Sequence, residues 1–439
     1  MNINKSKDHL LLLHLSDIHF HEPYCLDKDS DTDHPVRVAL LNDIEELVKG
    51  LGNVDAILIS GDIAQKGHTD EYKTAKAWLA DVAEKVGCPE SRTFPVPGNH
   101  DVSRAVAKLR SVEGIRSTIT KKIPGPERDT ELQKALREDE TREVLMKPME
   151  EYNLFAAAFG CDLSRFNPFW KHELSFASGW KLMMHGLTTT LFSGEEDKER
   201  DNLYIGALQS SFSQEKGIIR LAMLHHPPEW LKDCDKVSDS LNNGCQLHLI
   251  GHRHQQRYLG TADFVRLAAG AVNPARSSAE SWEPGYNLIK LQVIEEAGGV
   301  FLKVDSYQRN WQGSPDQFIA RLTKDKKDVF TDRIRLYNLP STSTISSAKS
   351  LSAAPPSAPS EPVITPEGLM DELSYRELVT KFWKLSTSNR WKITFGLELL
   401  TIEDGTVPEV KRYRQAFEKA RQTGKMEELR IKIEELLDK

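Results

Sequence analysis

The sequence predicts an α/β fold over its first three quarters and a small all-α domain at its end. Three observations carry that expectation. Short apolar runs of strand length alternate with amphipathic stretches of helical period through residue 338. A segment rich in serine, proline, alanine and threonine, "LPSTSTISSAKSLSAAPPSAPSEPVITP", then runs from 339 to 366 without an aromatic residue. Beyond it, from 367 to 439, apolar residues recur at helical spacing with no strand-like alternation.

The strand candidates in order are "LLLHLS" (11–16), "AILIS" (56–60), "TFPV" (93–96), "WKLMMHGL" (180–187), "RLAMLHH" (220–226), "QLHLIG" (246–251) and "FVRLAAG" (264–270). "YNLIKLQVI" (286–294) and "VFLKVDSYQ" (300–308) flank "EEAGG", the pattern of a hairpin. Helical stretches 36–51 and 71–86 separate the first three strands. Residues 103–165 break the rhythm with mixed charge at helical spacing. They read as a helical insertion, either a surface elaboration or a cap over a substrate. The serine- and proline-rich segment cannot bury enough apolar surface to offset its ordering entropy, so it reads as a flexible, disordered linker. In the tail, Leu378, Phe382 and Leu385 share a face, as do Ile393, Leu397 and Leu400, then Tyr413 and Phe417, then Leu429, Ile433 and Leu436. Gly405, Pro408 and Gly424 mark the breaks between them. This is a small helical bundle, charge-balanced and without evident chemistry, suited to binding a protein partner.

Composition narrows the function classes. The 439 residues are 39% hydrophobic and 28% charged, with a net charge of −7. That is a globular composition, without the basic excess of a protein coated by nucleic acid. The longest early apolar run, Leu10 to Leu15, is too short to span a membrane. Five cysteines, none at C-x-x-C spacing, read as reduced thiols, and a cytoplasmic location is expected.

Five polar clusters follow five of the strands. Asp17 and His19 stand in "HLSDIHFH", Asp62 in "SGDIA", and Asn99, His100 and Asp101 in "PVPGNHD". His225 and His226 stand in "AMLHHPP", and His252 and His254 in "LIGHRHQ". Strand ends of an open α/β sheet converge on one side, where sites form. Hard carboxylate oxygens mixed with several imidazoles suit borderline divalent metals, and two such ions can clamp a phosphoryl group during displacement. Gly61, Gly98 and Gly251 beside these clusters are expected to let the backbone turn sharply.

The ordered set D-x-H, G-D, G-N-H-D, H and G-H-x-H resembles the calcineurin-like metallophosphoesterases over roughly residues 9–310. The resemblance implies a β-sandwich flanked by helices, an α/β fold. It implies two divalent ions, manganese first with iron, zinc, cobalt or nickel as alternatives. By the family pattern Asp17, His19 and His254 hold the first ion, Asp62 bridges, and Asn99, His225 and His252 hold the second. His100 stabilises the phosphoryl charge or protonates the leaving oxygen, with Asp101 orienting its ring. Of the histidine pair His225 is the ligand, and His226 then faces the substrate or simply packs; Arg253 is a candidate to bind the substrate, and a metal-bridging hydroxide attacks in line.

"HHPP", and the returning segment that ends in "GYNLIKL", are similar to the bacterial phosphodiesterase branch. They imply a phosphodiester in a nucleotide or nucleic acid as substrate. Arg104, Arg253, Arg257 and Arg276 are candidate phosphate clamps. The alternatives are a metal-dependent DNA nuclease recruited through residues 367–439, or a nucleotide-sensing interaction protein without turnover. His14 is expected to be structural, His21 to lie at the surface, and His68 to stand either at the surface or at the pocket.

Overall fold

The computed structural model describes residues 8–163, 167–194, 197, 201–273, 284–337 and 372–437. The predicted linker at 339–366 and Arg276 lie outside the described residues. The chain divides into two compact units, Met1–Asn338 and Leu339–Lys439.

The first unit is α/β, with two sheets flanked by helices. Its described strands are β1 (His9–Leu15), β2 (Ala56–Ile59), β3 (Thr93–Pro95), β4 (Phe169–Ser175), β5 (Lys181–Leu187), β6 (Ile218–Leu224), β7 (Leu247–Ile250), β8 (Arg257–Gly260), β9 (Val265–Ala268), β10 (Gly285–Glu296), β11 (Gly299–Gly313), β12 (Asp316–Ala320) and β13 (Phe330–Leu336). One sheet has the order β12-β11-β10-β1-β2-β3, with β13 also paired to β11. The other has the order β4-β5-β6-β7-β9-β8. β1 is a continuous leucine run because both of its faces are buried. It pairs parallel to β2, Leu13 opposite Ile57, and antiparallel to β10, Leu13 opposite Leu288. His14 on β1 is fully buried and structural, its ring nitrogens 2.9 Å from Ser60 Oγ and 3.2 Å from Asn287 Nδ2. The sheets meet where the indole N–H of Trp170 on β4 donates to the Pro95 carbonyl on β3 at 2.8 Å.

The helix His34–Leu51 buries Val36, Leu40 and Ile44 at four-residue spacing. Thr69–Lys85 buries Tyr72, Ala75, Leu79 and Val82. Between β3 and β4 stand five α-helices, Arg104–Ala107, Arg110–Thr120, Pro126–Arg137, Asp139–Met146 and Glu150–Ala157. Four strands, β4, β8, β12 and β13, carry no clear apolar run in the sequence. β4, β8 and β12 end their sheets; β4 exposes Lys171 and Ser175, whereas β8 and β12 leave Leu259 and Ile319 exposed among polar neighbours. All five cysteines are buried free thiols.

The second unit holds the helices Glu372–Lys384, Thr387–Gly396, Glu409–Gln422 and Met426–Leu437. Its core gathers Leu378, Phe382, Leu385, Ile393, Leu400, Tyr413, Phe417, Leu429 and Ile433. The expected helical face of Ile393, Leu397 and Leu400 is shorter than its spacing implies. The helix stops at Gly396, Leu397 caps it, and Leu400 reaches the core from the loop beyond. No helix among the described residues is long and apolar enough to cross a membrane.

Candidate metal centre

Each polar cluster follows the C-terminal end of its strand, β1, β2 and β3 in one sheet and β6 and β7 in the other. The structure brings all seven predicted ligands together. Asp17 Oδ1 lies 3.2 Å from His254 Nε2 and 3.9 Å from His19 Nε2. Asp62 Oδ2 lies 3.9 Å from His19 Nε2 on one side and 3.2 Å from His225 Nε2 on the other. Asn99 Oδ1 lies 3.0 Å from His225 Nε2 and 3.1 Å from His252 Nδ1. One carboxylate oxygen therefore faces two groups of donors. Asp17, His19, Asp62 and His225 are buried, whereas Asn99, His100, His252 and His254 are half-exposed and line the open side.

The backbone is strained where the ligands sit. Seven described non-glycine residues have φ in the left-handed region. Five of them are Asp17 (52°), His19 (52°), Asp62 (52°), His252 (69°) and His254 (54°). Each costs about 1–2 kcal/mol, a cost that folds retain at functional sites. Hydrogen bonds hold the turns: the Ile18 and His19 N–H groups donate to the Asp62 carbonyl at 2.8 and 3.0 Å, and the Asp17 N–H to the Gly61 carbonyl at 3.0 Å.

Of the three glycines expected to allow sharp turns, Gly61 alone has a positive φ, 98°. Gly98 and Gly251 serve close approach instead. A Cβ on Gly98 would stand 2.1 Å from Asp62 Oδ1, and one on Gly251 2.4 Å from Ser16 Oγ.

The electrostatics are those of a charge cluster awaiting cations. Burial works against ionisation of Asp17, yet His254 and His225 hold it at about 2. Asp62 is likewise held well below the usual carboxylate range, burial being outweighed by His225 and His100. Burial lowers His19 to about 3, and burial with the neighbouring His225 lowers His252 to about 3. His225 is raised to about 9, and His254 is raised, because Asp62 and Asp17 respectively outweigh their burial. Asp17 Oδ1 and both ring nitrogens of His19 are buried without a hydrogen-bond partner. Buried polar groups are seldom left so, and a cation shared by two carboxylates, an amide oxygen and four imidazoles satisfies them. The residues fit a divalent metal centre.

Two expectations need correction. Asp101 does not orient the His100 ring. Its carboxylate accepts from the N–H groups of Gly98 (2.8 Å), Ala64 (3.0 Å) and Ile63 (3.2 Å) and from the Tyr72 hydroxyl (2.9 Å), bracing the loops after β2 and β3. The ring is aimed instead by the Gln65 carbonyl, 2.9 Å from Nδ1. His226 does not face a substrate. It is fully buried, with Nδ1 2.8 Å from Thr189 Oγ1 and its ring 4.5 Å from that of His252. The part-exposed Arg253 guanidinium pairs with Glu229.

Of the other arginines, Arg104 is exposed, and the Arg257 guanidinium donates to Gln255 Oε1 at 3.3 Å. His21 is half-buried, its ring 5.3 Å from Tyr24. His68 is exposed beside Glu22 at 3.2 Å. Sequence reasoning missed Gln65, Thr189 and Trp230, whose ring lies 4.3 Å from His252. A backbone carbonyl leaves no sequence signal, and Trp230 is marked only by following "HHPP".

Residues 10–256 match the family model described as calcineurin-like phosphoesterase, and residues 374–435 that of the GTPase-associated adaptor domain. An uncharacterized metallophosphoesterase-like protein of Bacillus subtilis, YydB, is 24% identical over 277 residues. That match covers 59% of this chain and 53% of the relative, so the chain spans about half the relative's length. Among solved structures, a predicted phosphoesterase from Streptococcus pneumoniae is 12% identical with a TM-score of 0.28, covering 74% of this chain and 98% of that one. Vps29 of Entamoeba histolytica complexed with zinc is 10% identical with a TM-score of 0.30, also at 74% and 98% coverage.

Proposed function

The chain belongs to the calcineurin-like phosphoesterase family, and from that premise we propose that it is a dinuclear metal-dependent phosphodiesterase acting on a nucleotide or nucleic acid. The observation that carries this reading is Asp62 Oδ2, set between His19 on one side and His225 on the other. Asp17, His19 and His254 would hold one ion, Asn99, His225 and His252 the other, and Asp62 both, with manganese the first choice and iron, zinc, cobalt or nickel the alternatives. Such ions supply charge neutralisation for the phosphoryl group and a water made acidic enough to attack near neutral pH.

The chain's own residues do the rest. His100 stands half-exposed at the open side, its backbone N–H donating to Asp62 Oδ1 (2.8 Å) and its ring Nδ1 lying 2.9 Å from the Gln65 carbonyl. Nε2 is left to hold or release a proton at the leaving oxygen. Asp101 keeps the loop carrying Asn99 and His100 against the Asp62 turn. The buried walls of Asp17, His19 and His225 keep water off the charged centre, where electrostatic contacts count most.

The match of residues 374–435 supports a second element of the reading. The tail is an adaptor, and its partner belongs to a GTPase-associated system, so that the enzyme is a recruited effector. A linked adaptor raises the local concentration of its enzyme without adding contacts at the site.

The test is hydrolysis of bis(p-nitrophenyl) phosphate with manganese. Asp62→Asn removes a charge that clamps both ions. Several kcal/mol of transition-state stabilisation translate to about a thousandfold loss. Full turnover in that variant defeats the reading, and metal and nucleotide binding without turnover in the wild type favours a sensor. A panel of cyclic nucleotides, single- and double-stranded oligonucleotides and phosphomonoesters then names the substrate class and separates a nuclease from a small-molecule hydrolase.

A further inference from the structure

His226 follows a proposed ligand, yet its buried ring is set up for a different task. Thr189 Oγ1 accepts the His226 backbone N–H at 3.2 Å and stands 2.8 Å from Nδ1. With the hydroxyl hydrogen given to Nδ1, the proton of a neutral ring stands on Nε2. That N–H has no hydrogen-bond partner, and Asp197 Oδ2, 3.6 Å away, has none either. Asp197 is itself fixed, its Oδ1 accepting the Gly194 N–H at 3.0 Å.

Behind it lies Arg116, from the insertion helix Arg110–Thr120. Its Nη1 donates to the Ser193 carbonyl at 2.6 Å, while Nε and Nη2 are buried without partners. Burial pushes Asp197 up, and the Gly194 N–H, the Ser193 hydroxyl and then the Arg116 charge work against it in favour of the ionised form. On the other side, the His226 ring packs 4.5 Å from His252 and 4.9 Å from His225, with Trp230 closing the stack. A donor and an acceptor, both buried and both unsatisfied at 3.6 Å, need only a small side-chain rotation to pair.

We propose that Asp197 and His226 pair in the metal-loaded protein, and that this pair, backed by Arg116, positions His252 at the second metal. It rests on the dinuclear reading above. Asp197, His226 and Arg116 are positioning residues that touch neither metal nor substrate, and they tie the helical insertion to one half of the centre. Among the described residues the first half, at Asp17, His19 and His254, is braced differently, the Ser16 hydroxyl donating to Asp17, so the two halves answer differently to loss of the pair.

The experiment is manganese titration of the full chain by calorimetry, with bound metal counted by mass spectrometry. In Asp197→Ala the second ion is expected to bind about tenfold to a hundredfold more weakly, the effect of removing a partner behind a ligand, with the first ion unchanged. Asp197→Asn, whose amide oxygen still accepts from Nε2, is expected to recover most of the affinity. It also serves as the deciding variant if Asp197→Ala does not fold. Equal loss of both ions, unchanged binding of both, or an Asp197→Asn no better than alanine overturns the proposal. A wild-type chain that binds fewer than two ions overturns the dinuclear reading itself, a separate result.

Discussion

The metal centre and the C-terminal bundle are built on opposite terms. At the centre, five ligand residues sit in the left-handed region, and buried nitrogens and oxygens go without partners. In the bundle the one described non-glycine residue with such a φ is Glu398, just past a helix end, where that conformation is an ordinary terminator. The bundle core is aromatic and aliphatic, with Phe382 edge-on to Tyr413 at 5.0 Å and to Phe417 at 5.1 Å. The bundle's stability comes from packing; the centre gives stability up to hold charges close. Strain thus marks the region proposed to carry chemistry, whereas the bundle, although Arg390 Nε and Tyr413 Oη are also buried without a hydrogen-bond partner, keeps an ordinary backbone away from its helix ends.

The contrast is sharpest under core truncation. Phe382 is fully buried, and Phe382→Ala is expected to cost the bundle about 3–5 kcal/mol. Hydrolysis of a small diester should stay at the wild-type rate, because the phosphoesterase unit has its own core. Calorimetry should show one transition lowered and one unmoved. A joint fall in stability and turnover would mean that the two units do not act separately.

The same division explains what was legible in the sequence. β1, β2, β6 and β7 announce themselves as apolar runs, and the ligands follow them directly, so the centre could be placed before any coordinate. Edge strands such as β4 and β8 could not be, because polar residues such as Lys171, Glu173 and Arg257 interrupt their apolar ones. Nor could the left-handed backbone of His19 or His252, since nothing in "DIH" or "GHRH" encodes φ. Asp101 was misjudged because adjacency to His100 in sequence suggested contact, whereas its carboxylate turns to the backbone of Gly98, Ile63 and Ala64. For His226 the sequence leaves facing the substrate and simple packing both open, and only its burial favours packing.

Metal loading should move one unit and spare the other. A cation that binds the folded state alone stabilises it by about 2.7 kcal/mol at a hundredfold excess over its dissociation constant. Manganese should therefore raise the transition of the phosphoesterase unit and leave that of the bundle where it was, with chelator reversing the shift. A shift in both transitions, or in neither, breaks the comparison.

The smallest effect is the most specific. His225 must give up a proton to offer Nε2 to a cation, and in the metal-free protein it is held at about 9 by Asp62 against its burial. Its raised value stabilises the metal-free fold below the ordinary imidazole range, and this contribution is lost as pH rises through about 9. Metal binding has the opposite sign, because it displaces the proton. Between pH 8 and pH 6, apparent affinity at the His225 site should fall about tenfold per unit, or about 1.4 kcal/mol. His19 and His252, both near 3, are already neutral there and add nothing. The bundle, residues 372–437, contains no histidine, so its transition should stay flat across the same window. Titrations in buffers of differing ionisation enthalpy count the released protons. A count of zero at pH 7 would mean that Asp62 does not hold His225 charged, and the electrostatic half of the contrast would fail.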